Sequence, residues 1–406
     1  MAKINPADAE VQGYMELQRR TASRCRIADL MLIAVLSAMI AVMGIAIFIL
    51  PQSTFSEDEN RDLTTFPAFS IQSLIRGDWT KKISEFYADQ FPVRRLMVQL
   101  KATCELAQFK GQNNKVILGA NDTLISRLEY TDYSNVENNM AAVNDLQTAL
   151  AKENIPVCMA VAPRAIDIFA AELPVLYGSE RSDAVWDVIT AYRPDATRLR
   201  NRLLELHKEG EYVWYRTDHH WTTDGAYAAY EELGQVLGYT PYKTSDFERT
   251  RVSDEFYGTT YSKSGMYFVA PDSMYFYRYE GDEGYVVKNM RTGAINTGFY
   301  FTGFLSVKDK YSAFIGENQA HVRVYDATEK SEDKPTLVLV KDSFANSVVP
   351  FLARHYDLEI IDLRYYIGSV ARLAREKNAC GVLILIGADS LASSDDLTQL
   401  RLGLGS

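Results

Sequence analysis

The hydrophobic pattern begins with a run that does not alternate. Leu30 to Leu50 (LMLIAVLSAMIAVMGIAIFIL) is 21 residues with no charged position and a single Ser. As a helix rising about 1.5 Å per residue it spans ~31 Å, close to the hydrocarbon core of a bilayer. Downstream the pattern changes. Residues 51–78 read as an extended polar lead-off, and residues 80–108 as helical, with Pro92 at the first position of a second helix running Val93 to Phe109. VILG (116–119) and TLIS (123–126) flank Ala120-Asn121-Asp122 as in a hairpin. Then helices are expected at 135–152 and 183–209, strands at 155–161 and 211–216, and another helix from near Thr223. The late apolar runs TLVLV (336–340), LEIIDL (358–363) and CGVLILI (380–386) are separated by helical stretches. Short continuous Val/Ile/Leu runs spaced by helices predict an α/β fold built on a parallel sheet covered on both faces. Residues 255–325 differ: Tyr, Phe and Gly are frequent and stretches such as MYFYRY alternate, which reads as an antiparallel insertion or edge. With no internal repeat and no low-complexity linker, one elaborated domain is expected. The layout is a cytoplasmic N-terminus (1–29), a transmembrane signal anchor (30–50), a juxtamembrane extended and helical segment (51–114) and an α/β ectodomain (115–406).

Charge orients this layout. Arg19, Arg20, Arg24 and Arg26 precede the apolar run and SEDENRD follows it. The positive-inside rule therefore puts the N-terminus in the cytoplasm and residues from Pro51 outside. A cleavable signal peptide is the alternative, but its apolar core is about 7–15 residues and ends in an A-x-A-like site. This run is longer and ends Ile49-Leu50-Pro51. Of the formal net charge of −10, residues 1–29 carry +1 (five Lys/Arg against four Asp/Glu), leaving −11 on the rest. That balance argues against nucleic acid, and against docking of the ectodomain on anionic lipid. Of the four cysteines, Cys25 falls on the cytoplasmic side, leaving Cys104, Cys158 and Cys380 outside. No CxxC spacing occurs, so disulfides are not expected to hold the fold, although one pair remains open.

Two constellations carry candidate chemistry. The first is Arg216-Thr217-Asp218-His219-His220-Trp221-Thr222, which holds two of the five histidines. If it is extended, positions i and i+2 share a face, so Asp218 meets His220 and His219 points away. A carboxylate beside an imidazole fixes its tautomer and suits it to general base chemistry. A helix-capping turn would need only Thr222 or Thr223. A metal site ranks below the acid–base reading, because zinc takes three or four ligands and no H-x-x-x-H partner exists. The second is Val340-Lys341-Asp342-Ser343-Phe344-Ala345-Asn346-Ser347, where an apolar strand runs into Asp-Ser. A helix with Pro350 in its first turn is expected from near Ser347. Ser343 then sits at the carboxyl end of a parallel strand, where such sheets place ligands, and backbone N–H groups there suit an oxyanion. The plain alternative is an Asp/Ser turn. Together the two segments supply nucleophile, base and orienting group. The 25 Tyr and four Trp suit sugars, and equally suit ordinary cores.

Asp-His-His-Trp followed by Lys-Asp-Ser-Phe-Ala-Asn-Ser-Val-Val-Pro-Phe-Leu resembles the DHHW protein family, a relative of the SGNH-like acetyltransferases that O-acetylate alginate and other exported polysaccharides. FSEDENRDLTTFP (55–67), DQFPVRR (89–95), GTTYSK (258–263), DKYSAFIGENQA (309–320) and residues 340–366 extend the resemblance over most of the chain after the apolar run. It implies an SGNH-hydrolase-like fold, with Ser343 as nucleophile, His220 as base and Asp218 as its partner. It also implies an acyl-serine O-acetyltransferase or acetylesterase with no cofactor, a polysaccharide acceptor, and a polytopic membrane-bound O-acyltransferase as acetyl donor. Departures are plain: Lys341 stands where SGNH hydrolases have Gly before Asp-Ser, the Asp-x-His precedes the serine, and the Gly-x-Asn-Asp block is missing. Asn318 is the candidate replacement donor, and Arg364 and Tyr365 are candidate substrate contacts. The rival class is a non-catalytic envelope protein that binds glycan or scaffolds an acyltransferase complex.

Overall fold

The computed structural model describes residues 6–127, 132–177, 183–328 and 334–404. The side chains of Arg19, Arg20, Arg24 and Cys25 lie outside the described part. The chain divides into two compact units, residues 1–57 with 61–98, and residues 58–60 with 99–406.

In the first unit the helix α1 runs Pro6–Ile49. Its Arg26–Ile49 stretch, 24 residues, is long and apolar enough to cross a membrane, and Leu30 to Ile33 are exposed. Such a surface is stable in lipid and not in water. The N-terminal apolar helix thus supports membrane anchoring. At its end Phe48 packs edge-on to Phe66 and Tyr87 and beside Phe86. The lead-off is less extended than expected, with a helical turn at Ile71–Ile75 before α2 (Asp78–Asp89). Buried Asp89 accepts from Arg61 and the Thr64 amide. Burial opposes its ionisation, but these donors hold the carboxyl down to about 2. Helix α3 (Arg94–Ala107) starts after Pro92, which sits in the preceding turn because Val93 takes a left-handed φ of 54°.

In the second unit β1 (Val116–Leu118) and β2 (Leu124–Ser126) form the expected antiparallel pair. Then follow α4 (Ser134–Ala151), β3 (Val157–Ala162), α5 (Asp183–Tyr192), α6 (Arg198–Lys208) and α7 (Thr223–Leu237). The single helix expected at 183–209 is broken, with Pro194 opening a 3-10 turn between its halves. The strand expected at 211–216 is reduced to one bridge, Trp214 opposite Trp221. β4 (Glu248–Phe256) and β5 (Asp272–Arg278) pair separately. β6 (Tyr285–Asn289), β7 (Ile295–Thr297), β8 (His321–Asp326), β9 (Thr336–Lys341), β10 (Asp357–Ile361) and β11 (Gly381–Gly387) join β3 in one mixed sheet, ordered β7-β6-β8-β10-β9-β11-β3. Between β9 and β10, Pro350 lies in α8 (Val349–Leu352), preceded by a 3-10 turn Ser343–Ser347. β10, β9, β11 and β3 are parallel, whereas β8, β6 and β7 extend the sheet antiparallel. The Tyr-rich region thus supplies both an edge and a separate ribbon.

The apolar strands serve two cores at once. Leu337, Leu339, Leu358, Ile360, Leu383 and Leu385 face α6 and α7. Val338, Val340, Val382, Ile384 and Ile386 face α4, α5 and Val370–Glu376. Burial on both faces explains the absence of polar alternation. From β9 the chain moves to β10 on one side and then to β11 on the other, so the carboxyl end of β9 is a switch point in the strand order. Cys104, Cys158 and Cys380 are free thiols.

Candidate active site

Ser343 follows β9 at that switch point. Asp342 shapes its turn: one carboxylate oxygen accepts from the Phe344 amide at 3.0 Å, the other from the Gly387 amide at 2.8 Å and Ser390 Oγ at 2.7 Å. The residue before the serine therefore ties the ends of β9 and β11 together. Its role is to shape this turn, and it does not touch His220 in any described hydrogen bond.

The second segment is a bridge-closed loop. The Tyr215 amide donates to the His220 carbonyl (3.3 Å) and the Thr222 amide to the Val213 carbonyl (3.0 Å). Buried Asp272 accepts from the Thr217 amide (2.8 Å), Thr217 Oγ1 (2.6 Å) and the Arg216 amide (3.2 Å). Thr222 caps α7 by accepting from the Gly225 amide. Trp221 spans to the other segment, its Nε1 donating to the Phe344 carbonyl (3.1 Å) and Ser347 Oγ (2.9 Å).

These segments bring the three expected side chains into one hydrogen-bonded chain. Asp218 Oδ1 lies 2.6 Å from His220 Nδ1, and His220 Nε2 lies 2.7 Å from Ser343 Oγ. The local conformation differs from the extended one expected. Asp218 Oδ1 also accepts from the His220 amide at 3.0 Å, an Asx-type turn that folds the side chain two residues forward. His219 does not point cleanly away: its Nδ1 bonds Thr259 Oγ1 and lies 3.7 Å from Asp218 Oδ2, with its ring centroid 3.8 Å from that of His220. Burial alone would raise the Asp218 carboxyl, but the charges of the two histidines, the His220 bond and the Thr259 amide outweigh it and hold it well below the usual range. His219 moves down to about 4, through desolvation and the neighbouring His220.

Four contributors were missed by sequence reasoning. Thr259 donates to Asp218 Oδ2 through its amide (2.7 Å) and hydroxyl (3.0 Å). Gly258 has room for no side chain there, since a Cβ would fall 2.2 Å from Asp218 Cβ. Tyr311 stacks flat on His220, centroids 3.9 Å apart and planes within 4°, and bonds Ser347 through its hydroxyl. Asn346 bonds Lys341 at 2.6 Å. Gly258, Thr259 and Tyr311 lay inside stretches already tied to the family pattern, but nothing in their type announces these contacts.

Two of the other candidates, Asn318 and Arg364, lie against residues that precede Ser343. Asn318 offers its carbonyl oxygen to Lys341 Nζ at 2.6 Å. Arg364 is clamped on Asp362, Nε at 2.9 Å and Nη2 at 2.6 Å, and lines a cavity of about 220 Å³ with Lys341, Asp342, Asp362 and Ser390. Tyr365 is exposed. Asp218, His219 and His220 also present ligand atoms within 4.8 Å of one another. Each Asp218 oxygen already accepts two donors and both His220 ring nitrogens are engaged, so a cation would have to displace those bonds.

Comparison with known proteins bears on the family and the fold. The sequence model of the DHHW protein family matches residues 118–361, more than half of the chain. Over 186 residues the chain is 28% identical to the probable alginate O-acetylase AlgJ of Pseudomonas fluorescens, covering 43% of this chain. The chain spans about half the length of the curated relatives it matches (47% for this one). A DHHW family protein from Eubacterium siraeum has a similar structure, with TM-score 0.57 and 19% identity, over 71% of this chain and 95% of that one. PatB1 of Bacillus cereus, solved with a sulfonyl adduct, gives 0.56 and 19%, over 69% and 96%. The α/β fold, a mixed sheet flanked by helices with an aromatic region, is the SGNH-like fold of these proteins. On a family match running from the first hairpin to the end of β10, and a fold shared with a solved member, the chain belongs to the DHHW protein family.

Proposed function

We propose that this chain is a membrane-anchored O-acetyltransferase or acetylesterase that modifies a cell-surface or exported polysaccharide through an acyl-serine. The observation that carries the reading is the continuous chain from Asp218 through His220 to Ser343, at 2.6 and 2.7 Å. Held by the Asp218 carboxylate, His220 keeps its proton on Nδ1 and presents Nε2 as acceptor. The Ser343 Oγ–H proton passes to Nε2 as Oγ bonds to the acetyl carbonyl carbon. The carbonyl π bond opens onto oxygen, and re-forms as the donor's C–O bond breaks and the leaving oxygen takes the proton from Nε2. A sugar hydroxyl then gives its proton to His220 and attacks the acyl-serine, and Ser343 leaves with that proton. Water in place of the sugar makes the same site an esterase.

The developing oxyanion needs donors. The Ser343 amide, at the first position of a 3-10 turn, lacks an intrahelical partner by position, and Asn318 is the side-chain candidate. Arg364, which lines the cavity with Lys341 and Asp342 just past β10, and the exposed Tyr365 next to it in the chain are assigned to acceptor contact. The match to a probable alginate O-acetylase supports acetyl transfer to a polysaccharide. The Arg-rich flank before the apolar helix supports a cytoplasmic N-terminus with residues from Pro51 outside. Because acetyl-CoA is cytosolic, an outside site calls for a polytopic membrane acyltransferase as donor partner. No cofactor takes part in these steps.

The test uses the detergent-solubilised full chain with p-nitrophenyl acetate, with and without an oligosaccharide acceptor. Nitrophenol release that disappears in Ser343→Ala and His220→Ala is the expected result, and acetylated oligosaccharide marks transfer. Equal rates in wild type and both variants contradict the proposal.

A further inference from the structure

Lys341 is the residue that neither the fold nor the acid–base chain requires. It ends a buried strand, is only 5% exposed, and stands immediately before Asp342-Ser343. Burying an ammonium is unfavourable unless it is fully hydrogen-bonded. Here the bonds are specific. Nζ donates to Asn318 Oδ1 at 2.6 Å and to Asn346 Oδ1 at 2.6 Å, and Asn346 Nδ2 approaches Asn318 Oδ1 at 3.4 Å. Asp342, Asp362 and Arg364 are the charged groups that act on it.

The chemistry of the donor decides the orientation of both amides. An asparagine side chain has a donor end and an acceptor end, and turning it over exchanges them. A lysine ammonium has three donors and no acceptor, so the amide end facing it must be oxygen. For Asn318 that fixes Oδ1 inward, where two donors already meet it, and turns Nδ2 the other way. An oxyanion hole needs the N–H₂ end, because a carbonyl oxygen facing a developing oxyanion repels it. We propose that Lys341 is a positioning residue, a buried cationic lock that fixes the Asn318 amide with its N–H₂ end toward the acyl oxyanion. The inference rests on the acyl-serine reading and deepens it. It also gives a physical reason for lysine where SGNH hydrolases have glycine: with the Gly-x-Asn-Asp block missing, the donor comes from a different segment and needs its own orienting contact.

Burial lowers the Lys341 ammonium to about 8, with Arg364 pushing the same way and Asp362 and Asp342 opposing. Once neutral, the amine can accept as well as donate, and the lock loosens.

The test compares kcat and KM for p-nitrophenyl acetate in the full chain carrying Lys341→Met, Asn318→Ala, both, or Ser343→Ala. Loss of an oriented oxyanion donor lowers kcat about 10- to 100-fold with KM little changed, because that contact strengthens in the transition state. Since Lys341 acts through Asn318, the double variant is expected to be no slower than Asn318→Ala alone. A Lys341→Met enzyme with wild-type kcat, or a double variant whose loss is the product of the two single losses, overturns the lock. A Ser343→Ala enzyme as fast as wild type overturns the acyl-serine reading instead. If Lys341→Met does not fold, the wild-type pH profile carries the test. A fall in kcat above about pH 8 that is absent from Asn318→Ala supports the lock, and the same fall in both contradicts it.

Discussion

Two turns meet at the candidate site, and they are built in opposite ways. The Ser343 turn grows out of β9, a strand buried on both faces with Leu337 and Leu339 in one core and Val338 and Val340 in the other. Its position follows from packing, and its shape follows from one side chain, Asp342, clamped to the end of the neighbouring strand. The Asp218–His220 loop has almost no secondary structure under it. It is closed by one bridge, held from outside by Asp272 and Thr259, and tied through its own Trp221 to the Ser343 turn. The place of Ser343, the proposed nucleophile, is thus a property of the sheet, whereas that of His220, the proposed base, is a property of a polar network assembled from distant sequence. Damage to the first should be read in stability, and damage to the second in activity.

Removing the two proposed reacting groups tests what both turns serve. Ser343→Ala and His220→Ala should each lower kcat/KM on an aryl acetate by at least ~10³-fold with the fold intact by circular dichroism. Striking the sheet should separate stability from chemistry. Leu339→Ala removes a fully buried side chain and is expected to reduce unfolding free energy by about 2–5 kcal/mol, while the folded fraction keeps near-normal kcat. Urea unfolding beside active-site titration checks it, and a kcat loss without destabilisation would break the contrast. Gly258→Ala works the other way. Its new methyl must displace Asp218, so about 1–3 kcal/mol of overpacking falls on the carboxylate that holds His220. A kcat drop larger than that of Leu339→Ala at smaller stability loss is the expected signature. Trp221→Phe deletes the indole donor that bridges the turns beside the His220–Ser343 bond, worth about 1 kcal/mol, and should slow acylation only a few-fold.

The smallest effect concerns acid. Asp218 is held below its ordinary range in the folded state. A lowered carboxyl contributes stability that is present above the unfolded pKa, about 3.9, and is lost as pH falls below it. Asp218→Asn should therefore flatten the loss of stability below about pH 4. Unfolding curves at pH 3 and pH 6 check the sign, and a steeper acid loss in the variant would contradict it.

The same contrast explains what was legible in the sequence. β9, β10 and β11 announced themselves because strands buried on both faces must be continuously apolar, and Asp-Ser at a strand end is a local signal. The pairing of Asp218 with His220 was anticipated through extended-strand geometry, yet the structure makes it through an Asx-type turn. Spacing two is common to both conformations, so the contact was readable and its cause was not. Thr259, Tyr311 and Asp272 come from segments about 40 to 90 residues away and carry ordinary residue types, and only the tertiary fold shows that Thr259 donates to Asp218, that the Tyr311 ring stacks on His220, and that Asp272 accepts from Thr217 beside them. The helix break at Pro194 was overlooked although the signal was local, because the apolar spacing continues on both sides of it.

The most direct measurement is mass spectrometry of the full chain quenched during turnover of p-nitrophenyl acetate, followed by peptide mapping. The account predicts one acetyl group on the peptide holding Ser343, formed in the wild type, absent from Ser343→Ala and formed far more slowly in His220→Ala. An acetyl adduct confined to another residue, or turnover with Ser343 never modified even when deacylation is slowed by low temperature, would contradict it.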